Sequence, residues 1–236
     1  MGGLHHPLYL GGKLLKEVKR EPIILWGATG QAKVLYEFIN KTYQIIALMD
    51  QDPTVSTPFK TIPLYHDWSI LKKEVLAAIT EPIYFAIAIG GIYRGKDRLH
   101  LQEMLISEGL QPVNLIHPTA YQATTAHLGQ GNQILAKAVV CAEVQTGDQC
   151  IINTSATLDH ESRIGHGVHI CPGAHVLGDV TIKDYATIGA GAVILPHLQI
   201  GQSATIGAGS VILHDVPDNA VVVGNPGKII RYTNTQ

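Results

Sequence analysis

His160 and Glu161 stand side by side in the run Leu158-Asp159-His160-Glu161-Ser162. A carboxylate beside an imidazole can hold its tautomer and raise its basicity, which is what a general base needs. At a turn, consecutive side chains need not diverge as they do along a strand. The other histidines of this region, His117, His127, His166, His169, His175, His197 and His214, fall at turn or outward phases and read as solvated. No two histidines of the region lie eighteen residues apart, so no stacked imidazole set forms and no metal is expected. His214-Asp215 is a competing pair near the end of the region. Cys150 falls at an inward phase and reads as core, whereas Cys141 and Cys171 face turns or solvent without an activating neighbour. Three cysteines without metal-ligand spacing fit a reduced, cytoplasmic setting.

A second set of candidates follows the apolar run at 22–26. Gly27-Ala28-Thr29-Gly30-Gln31-Ala32 precedes a helical stretch at 33–40 and places backbone N–H groups at a helix N-terminus, a site for a diphosphate. Asp50, at the end of a second strand at 43–49, can accept from a ribose hydroxyl. The glycine run is incomplete as a dinucleotide fingerprint and a lone glycine turn is more often a tight connection, but together with Asp50 it favours a nucleotide. The segment is also short for a nicotinamide domain, so a nucleotide sugar fits better.

The element that positions His160 is a repeat. From Ile116 to Ile212 a large apolar residue returns every sixth position, with Gln122 and Thr146 as the breaks. Four residues after each comes a small or apolar side chain, Asn132 being the polar exception. Two inward positions per six residues suit one short strand and a tight turn, the signature of a parallel β-helix of hexapeptides. Three hexapeptides make a triangular coil, so residues eighteen apart stack at the roughly 4.8 Å strand spacing. The corners fall at glycine-rich steps such as 188–191 and 206–209. Ala142 and Gly178 then flank His160 and leave its ring room, while Glu143, Glu161 and Asp179 form an acidic column that repels itself unless a cation relieves it.

Before the repeats, strand and helix alternate: further helices are expected at 68–79 and 98–108 and a strand at 83–89, which makes a small parallel α/β sheet. The fold expected is an α/β N-terminal Rossmann-like domain at 22–113, after an extension at 1–21, followed by a parallel β-helix at 114–236. A formal net charge of −2 lacks the basic footprint of a nucleic-acid binder. No run of eighteen or more apolar residues is present to span a bilayer, and the first twenty residues do not read as a secretory signal.

The chain resembles the hexapeptide acetyltransferases of the sialic acid O-acetyltransferase and nucleotide-amino-sugar N-acetyltransferase type. The likeness is carried by Leu158-Asp159-His160-Glu161 with Ile152-Asn153-Thr154, Ile164-Gly165 and His169, by the glycine turn, by Ala88-Ile89-Gly90, and by 113–118 and Val223-Gly224-Asn225-Pro226. Among these it is most like the enzymes that acetylate UDP-4-amino-4,6-dideoxy-N-acetylglucosamine in the bacillosamine pathway. The resemblance implies left-handed winding, acetyl-CoA as co-substrate and a homotrimer. It makes His160 the general base and Glu161 its orienting partner. It places Asn153, His169, Gly178, Ala190 and Ala208 along the acetyl-CoA groove. The nucleotide sugar would lie on Gly27, Ala28, Thr29, Gly30, Gln31, Asp50 and Gly90. Gln31 departs from the histidine usual in that turn, and the acceptor-side arginine falls on either Arg94 or Arg98. Three rival readings stay open: an O-acetyltransferase of sialic-acid-like sugars, a non-catalytic scaffold, and a nicotinamide oxidoreductase.

Overall fold

The computed structural model describes residues 20–233, together with the backbone of a two-strand pair, Tyr9–Leu10 and Lys13–Leu14. Most of the extension expected at 1–21 lies outside the described residues.

The N-terminal unit is a five-stranded parallel sheet. In spatial order its strands are Leu64–Tyr65, Tyr43–Met49, Glu21–Trp26, Tyr84–Ile87 and Gln111–Pro112. The chain begins in the middle, moves one way, then crosses back, so a switch point opens beside Trp26 and Ile87, where ligands bind in such sheets. The strand Leu64–Tyr65 lies in the proline-rich section that sequence periodicity leaves as turns. It is two residues long, too short to show alternation. The helices run Gly30–Ile39, Trp68–Glu74 and Gly95–Ser107. The second stops earlier than 79, and a 3₁₀ turn, Leu76–Ala78, follows its cap residue Val75.

From Leu115 the chain winds as a left-handed parallel β-helix with three faces. Up to Ile212 each coil adds eighteen residues: Gln133 pairs with Ile151, Val139 with Thr157 and Gln145 with Arg163. Each strand is two residues long, the first pointing out and the second in. The inward Ile, Val and Leu and the small residues four positions later form one continuous buried cluster from Ala123 to Val222. The two interior breaks in the pattern satisfy one another, since Asn132 Nδ2 donates to Thr146 Oγ1 at 3.1 Å and Asn132 Oδ1 accepts from Cys150 N at 2.7 Å. A buried amide without partners would destabilise the coil by about 1–3 kcal/mol. Ile116, at the open end, is 40% exposed despite its inward phase, because no coil precedes it.

The glycine-rich corners are as expected, with Gly191 and Gly209 at φ of 66° and 67°, but another corner makes the same turn without glycine. Glu143, Glu161, Asp179 and His197 all adopt left-handed φ between 54° and 62°. The cost, about 1–2 kcal/mol each, is offset by a recurring bond: Glu161 N donates to Ala142 O, Asp179 N to His160 O and His197 N to Gly178 O, at 2.9–3.1 Å.

The three faces are unequal. The outward residues of the first, Leu115, Gln133, Ile151 and His169, are buried beneath the N-terminal unit, with Leu115 and Ile151 in its apolar cluster. The second carries Tyr121, Val139, Thr157, His175, Val193 and Val211, and the third His127, Gln145, Arg163, Thr181 and Gln199.

Candidate active site

His160 lies at the corner between the second and third faces, in the turn after strand Thr157–Leu158. Asp159 Oδ1 accepts from His160 N at 2.8 Å and shapes the turn. Glu161 Oε2 meets His160 Nδ1 at 3.0 Å, so the carboxylate fixes the tautomer with Nε2 bare. The ring is about half exposed, with 55% of its side chain accessible. Its pKa is raised, first by the Glu161 hydrogen bond and further by the charges of Asp159, Glu161 and Asp179.

Gly178 sits one coil above. A Cβ there would lie 2.6 Å from both Cε1 and Nε2 of His160, so glycine is what lets the ring take this position. Among the described residues no acceptor takes the Gly178 N–H. Cations relieve the acidic column: His197 Nδ1 pairs with Asp179 Oδ2 at 3.0 Å and Arg163 Nη1 approaches Asp179 Oδ1 at 3.8 Å. His197 therefore has a partner that the sequence reading missed. The eighteen-residue register connects it to Asp179. In the competing pair, Asp215 Oδ1 accepts from Gln199 N at 2.8 Å and serves the backbone.

The residues expected along an acetyl-CoA groove do not all meet within one chain. Gly178 belongs to the His160 corner, whereas Asn153, Ala190 and Ala208 follow strands of the buried face at another corner. Beads of added Cβ at Gly173, Gly191 and Gly209 on that corner would touch nothing within 4 Å, so the edge is smooth and open. His169 is not solvated, as its outward phase suggested. It is 6% exposed because the N-terminal unit covers that face, with Nε2 3.1 Å from Asn153 Nδ2 and Nδ1 3.4 Å from Gly91 O. Burial, with the nearby Arg98 charge, pushes its pKa down to about 4.

The glycine turn opens on a cavity of about 980 Å³ at the switch point, lined by Gly27, Thr29, Gly30, Gln31, Asp50, Gly90 and Arg94 among others. Gly27 has φ of +110°, and a Cβ on it would come within 2.8 Å of the Ala88 carbonyl carbon. A Cβ on Gly30 would meet nothing within 4 Å, so that position leaves room for a ligand to approach the backbone. The helix Gly30–Ile39 has no side-chain cap and no acidic residue in its first turn, so its N–H groups and dipole are free to face an anion. Ala28 N is not among them, because it donates to Asp50 Oδ2 at 2.9 Å. Asp50 Oδ1 accepts from Asp52 N at 3.1 Å, and each oxygen keeps lone-pair capacity for a hydroxyl.

The two candidate arginines separate. Arg94 lines the cavity and pairs with Asp97. Arg98 is wholly buried and joins the two units, donating to Gln149 O at 3.0 Å, Gly167 O at 2.9 Å and Ile89 O at 3.5 Å. Burial lowers its pKa to about 10, which leaves it charged at neutral pH. Cys150 is buried with its pKa pushed up to about 12, and burial raises Cys171 to about 11, so neither is an activated thiol. Among the described residues no three His, Cys, Asp or Glu side chains gather where they could hold a metal, and no helix is long and apolar enough to cross a membrane.

Comparison with known proteins bears on the same features. The bacterial transferase hexapeptide (six repeats) model matches residues 161–196. GDP-perosamine N-acetyltransferase of Escherichia coli is 32% identical over 108 residues, 46% of this chain and 48% of that protein, so the match spans about half of that curated relative. The acetyltransferase domain of PglB from Neisseria gonorrhoeae is 32% identical, with a TM-score of 0.79 over 89% of this chain and all of that one. The chain belongs to the hexapeptide-repeat transferase family. A variant of perosamine N-acetyltransferase from Caulobacter crescentus, in complex with CoA and GDP-perosamine, is another of these transferases. It is 30% identical over 89% of this chain and 97% of that one, with a TM-score of 0.81.

Proposed function

We propose that this chain is an acetyl-CoA-dependent N-acetyltransferase acting on the amino group of a nucleotide-linked sugar. The observation that carries the reading is the His160 corner: a bare Nε2, a carboxylate on Nδ1, and a glycine where any side chain would displace the ring. Relatives whose names give GDP-perosamine acetylation, or whose structures hold acetyl coenzyme A, support the reaction class. The acceptor proposed is a UDP-4-amino-4,6-dideoxy-N-acetylglucosamine type of sugar, with a GDP-linked amino sugar as its direct competitor.

In this reaction the amine attacks the thioester carbonyl carbon while His160 Nε2 takes the proton from nitrogen. The unused Gly178 N–H would stabilise the developing oxyanion. Collapse of the tetrahedral intermediate breaks the C–S bond, and the imidazolium returns the proton to the departing thiolate. Acetamide and free thiol are formed. The open edge at Gly173, Gly191 and Gly209 suits a slender pantetheine arm, and the cavity with its uncapped helix suits the nucleotide diphosphate.

One chain cannot unite these parts. The N-terminal unit covers one face, and His160 stands at the corner between the other two. Homotrimerisation through the second face, whose outward Tyr121, Val139, Val193 and Val211 are apolar, would set one copy's base beside a neighbour's cavity. Light scattering tests the assembly.

The decisive assay is acetyl-CoA turnover with UDP-4-amino sugars, GDP-4-amino sugars and hydroxyl acceptors in parallel. His160→Ala should reduce N-acetylation by about 10²- to 10⁴-fold. Wild-type turnover by that variant, or turnover confined to hydroxyl acceptors, refutes the reading.

A further inference from the structure

Gln31 reaches from the glycine turn to the β-helix. Its Nε2 donates to Gln133 Oε1 at 2.6 Å, and Gln133 Nε2 donates to the backbone carbonyl of Ile87 at 2.8 Å. Gln133 is only 1% exposed. A backbone carbonyl accepts and never donates. Gln133 must therefore turn its amide nitrogen to Ile87, which leaves an oxygen facing Gln31. Gln31 must answer with its own nitrogen. The free end of this relay is Gln31 Oε1, beside Gly90, where an added Cβ would sit 3.4 Å from it. Both residues line the cavity, and among the described residues no protein donor is recorded on that oxygen. Flipping the Gln31 amide alone would set two oxygens face to face, and flipping both would oppose Gln133 Oε1 to Ile87 O.

We infer that Gln31 is a specificity-determining residue that offers the nucleotide sugar a fixed hydrogen-bond acceptor, and that Gln133 is the positioning residue that sets its polarity. This rests on the reading of the cavity as a nucleotide-sugar site. The ligand must present an N–H or O–H beside Gly90, and that donor belongs either to the nucleobase or to the sugar. A ligand with only acceptor atoms there is rejected.

Calorimetric titration of the full chain with UDP, GDP and their 4-amino sugars tests this, using wild type, Gln31→Met, Gln133→Glu and Gln133→Leu. Gln31→Met should weaken nucleotide-sugar binding about 3- to 10-fold, the equivalent of one net hydrogen bond, with acetyl-CoA affinity unchanged. A loss already present with UDP or GDP alone assigns the donor to the base, and a loss seen only with the sugar attached assigns it to the sugar. Gln133→Glu keeps an acceptor toward Gln31 and should bind within about twofold of wild type, while Gln133→Leu frees the amide and weakens binding as Gln31→Met does, at about one hydrogen bond's worth. Because Gln133→Glu buries a carboxylate and can unfold, the half-buried Gln31→Met carries the test by itself. Wild-type affinity in Gln31→Met, or equal losses in folded Gln133→Glu and Gln133→Leu, overturns the inference while the proposed function stands. If the wild type binds no nucleotide sugar, the function fails and the inference falls with it.

Discussion

Gly178→Ala isolates the positioning of the base from the stability of the fold. Gly178 does not occupy left-handed φ, so alanine is permitted there, and the three atoms nearest the added methyl all belong to the His160 ring, Cε1 and Nε2 at 2.6 Å and Cδ2 at 3.2 Å. Ordinary contact begins at 3.4 Å, so the ring must retreat by roughly 1 Å. With about half its side chain exposed, the ring can swing away without disturbing the core. Swinging strains the 3.0 Å bond to Glu161. A displacement of about 1 Å at a reacting group costs on the order of 10²-fold in rate. Steady-state kinetics should show kcat reduced by about 10²-fold, with thermal stability close to wild type. If Gly178 instead serves mainly to line the acetyl-CoA groove, the change appears in the KM for acetyl-CoA with kcat retained. A folded Gly178→Ala protein with wild-type kcat would refute the steric argument.

Other outcomes follow from the same contacts. The Glu161 hydrogen bond raises the His160 pKa and catalysis uses the neutral ring, so kcat/KM should fall as pH drops through that raised value; in Glu161→Gln the acid limb of the profile moves to lower pH. Arg98→Met removes three hydrogen bonds from a buried charge and strands their carbonyls, which should cost about 3 kcal/mol in chemical denaturation. For His169 the folded pKa of about 4 lies below the unfolded value, so the unfolded chain binds the proton first and stability drops as pH falls through the window from about 6.5 to 4. That loss reaches at most about 3 kcal/mol, and His169→Gln should flatten this part of the stability curve.

The β-helix was legible because its rule is local. An inward residue every six positions and stacking every eighteen place Ile134, Ile152 and Ile170 in one column before any coordinate is known. The same rule anticipated the small residues around His160, and neighbourhood in sequence paired His160 with Glu161. It was blind wherever one unit covers another. His169 and Gln133 stand at outward phases of the repeat and Arg98 is a charged residue near the start of a helix, yet all three are buried because the N-terminal sheet and its helix Gly95–Ser107 lie against that face and its corner. The short strand Leu64–Tyr65 and the left-handed corners at Glu161 and Asp179 were also hidden, since long-range ladder bonds decide them.

Sequence by itself determined the coil period, the interior and the proximity of an imidazole to a carboxylate, because each depends on residues one, six or eighteen positions apart. Tertiary structure decided which face the N-terminal unit occupies, and with it which polar groups lose water. That choice turned Arg98 from a candidate ligand contact into an interdomain tie, depressed the His169 pKa, and locked the Gln31 amide through Gln133. Burial by a distant segment leaves no periodic mark on the residues it covers, since their spacing is the same whether the face is wet or dry.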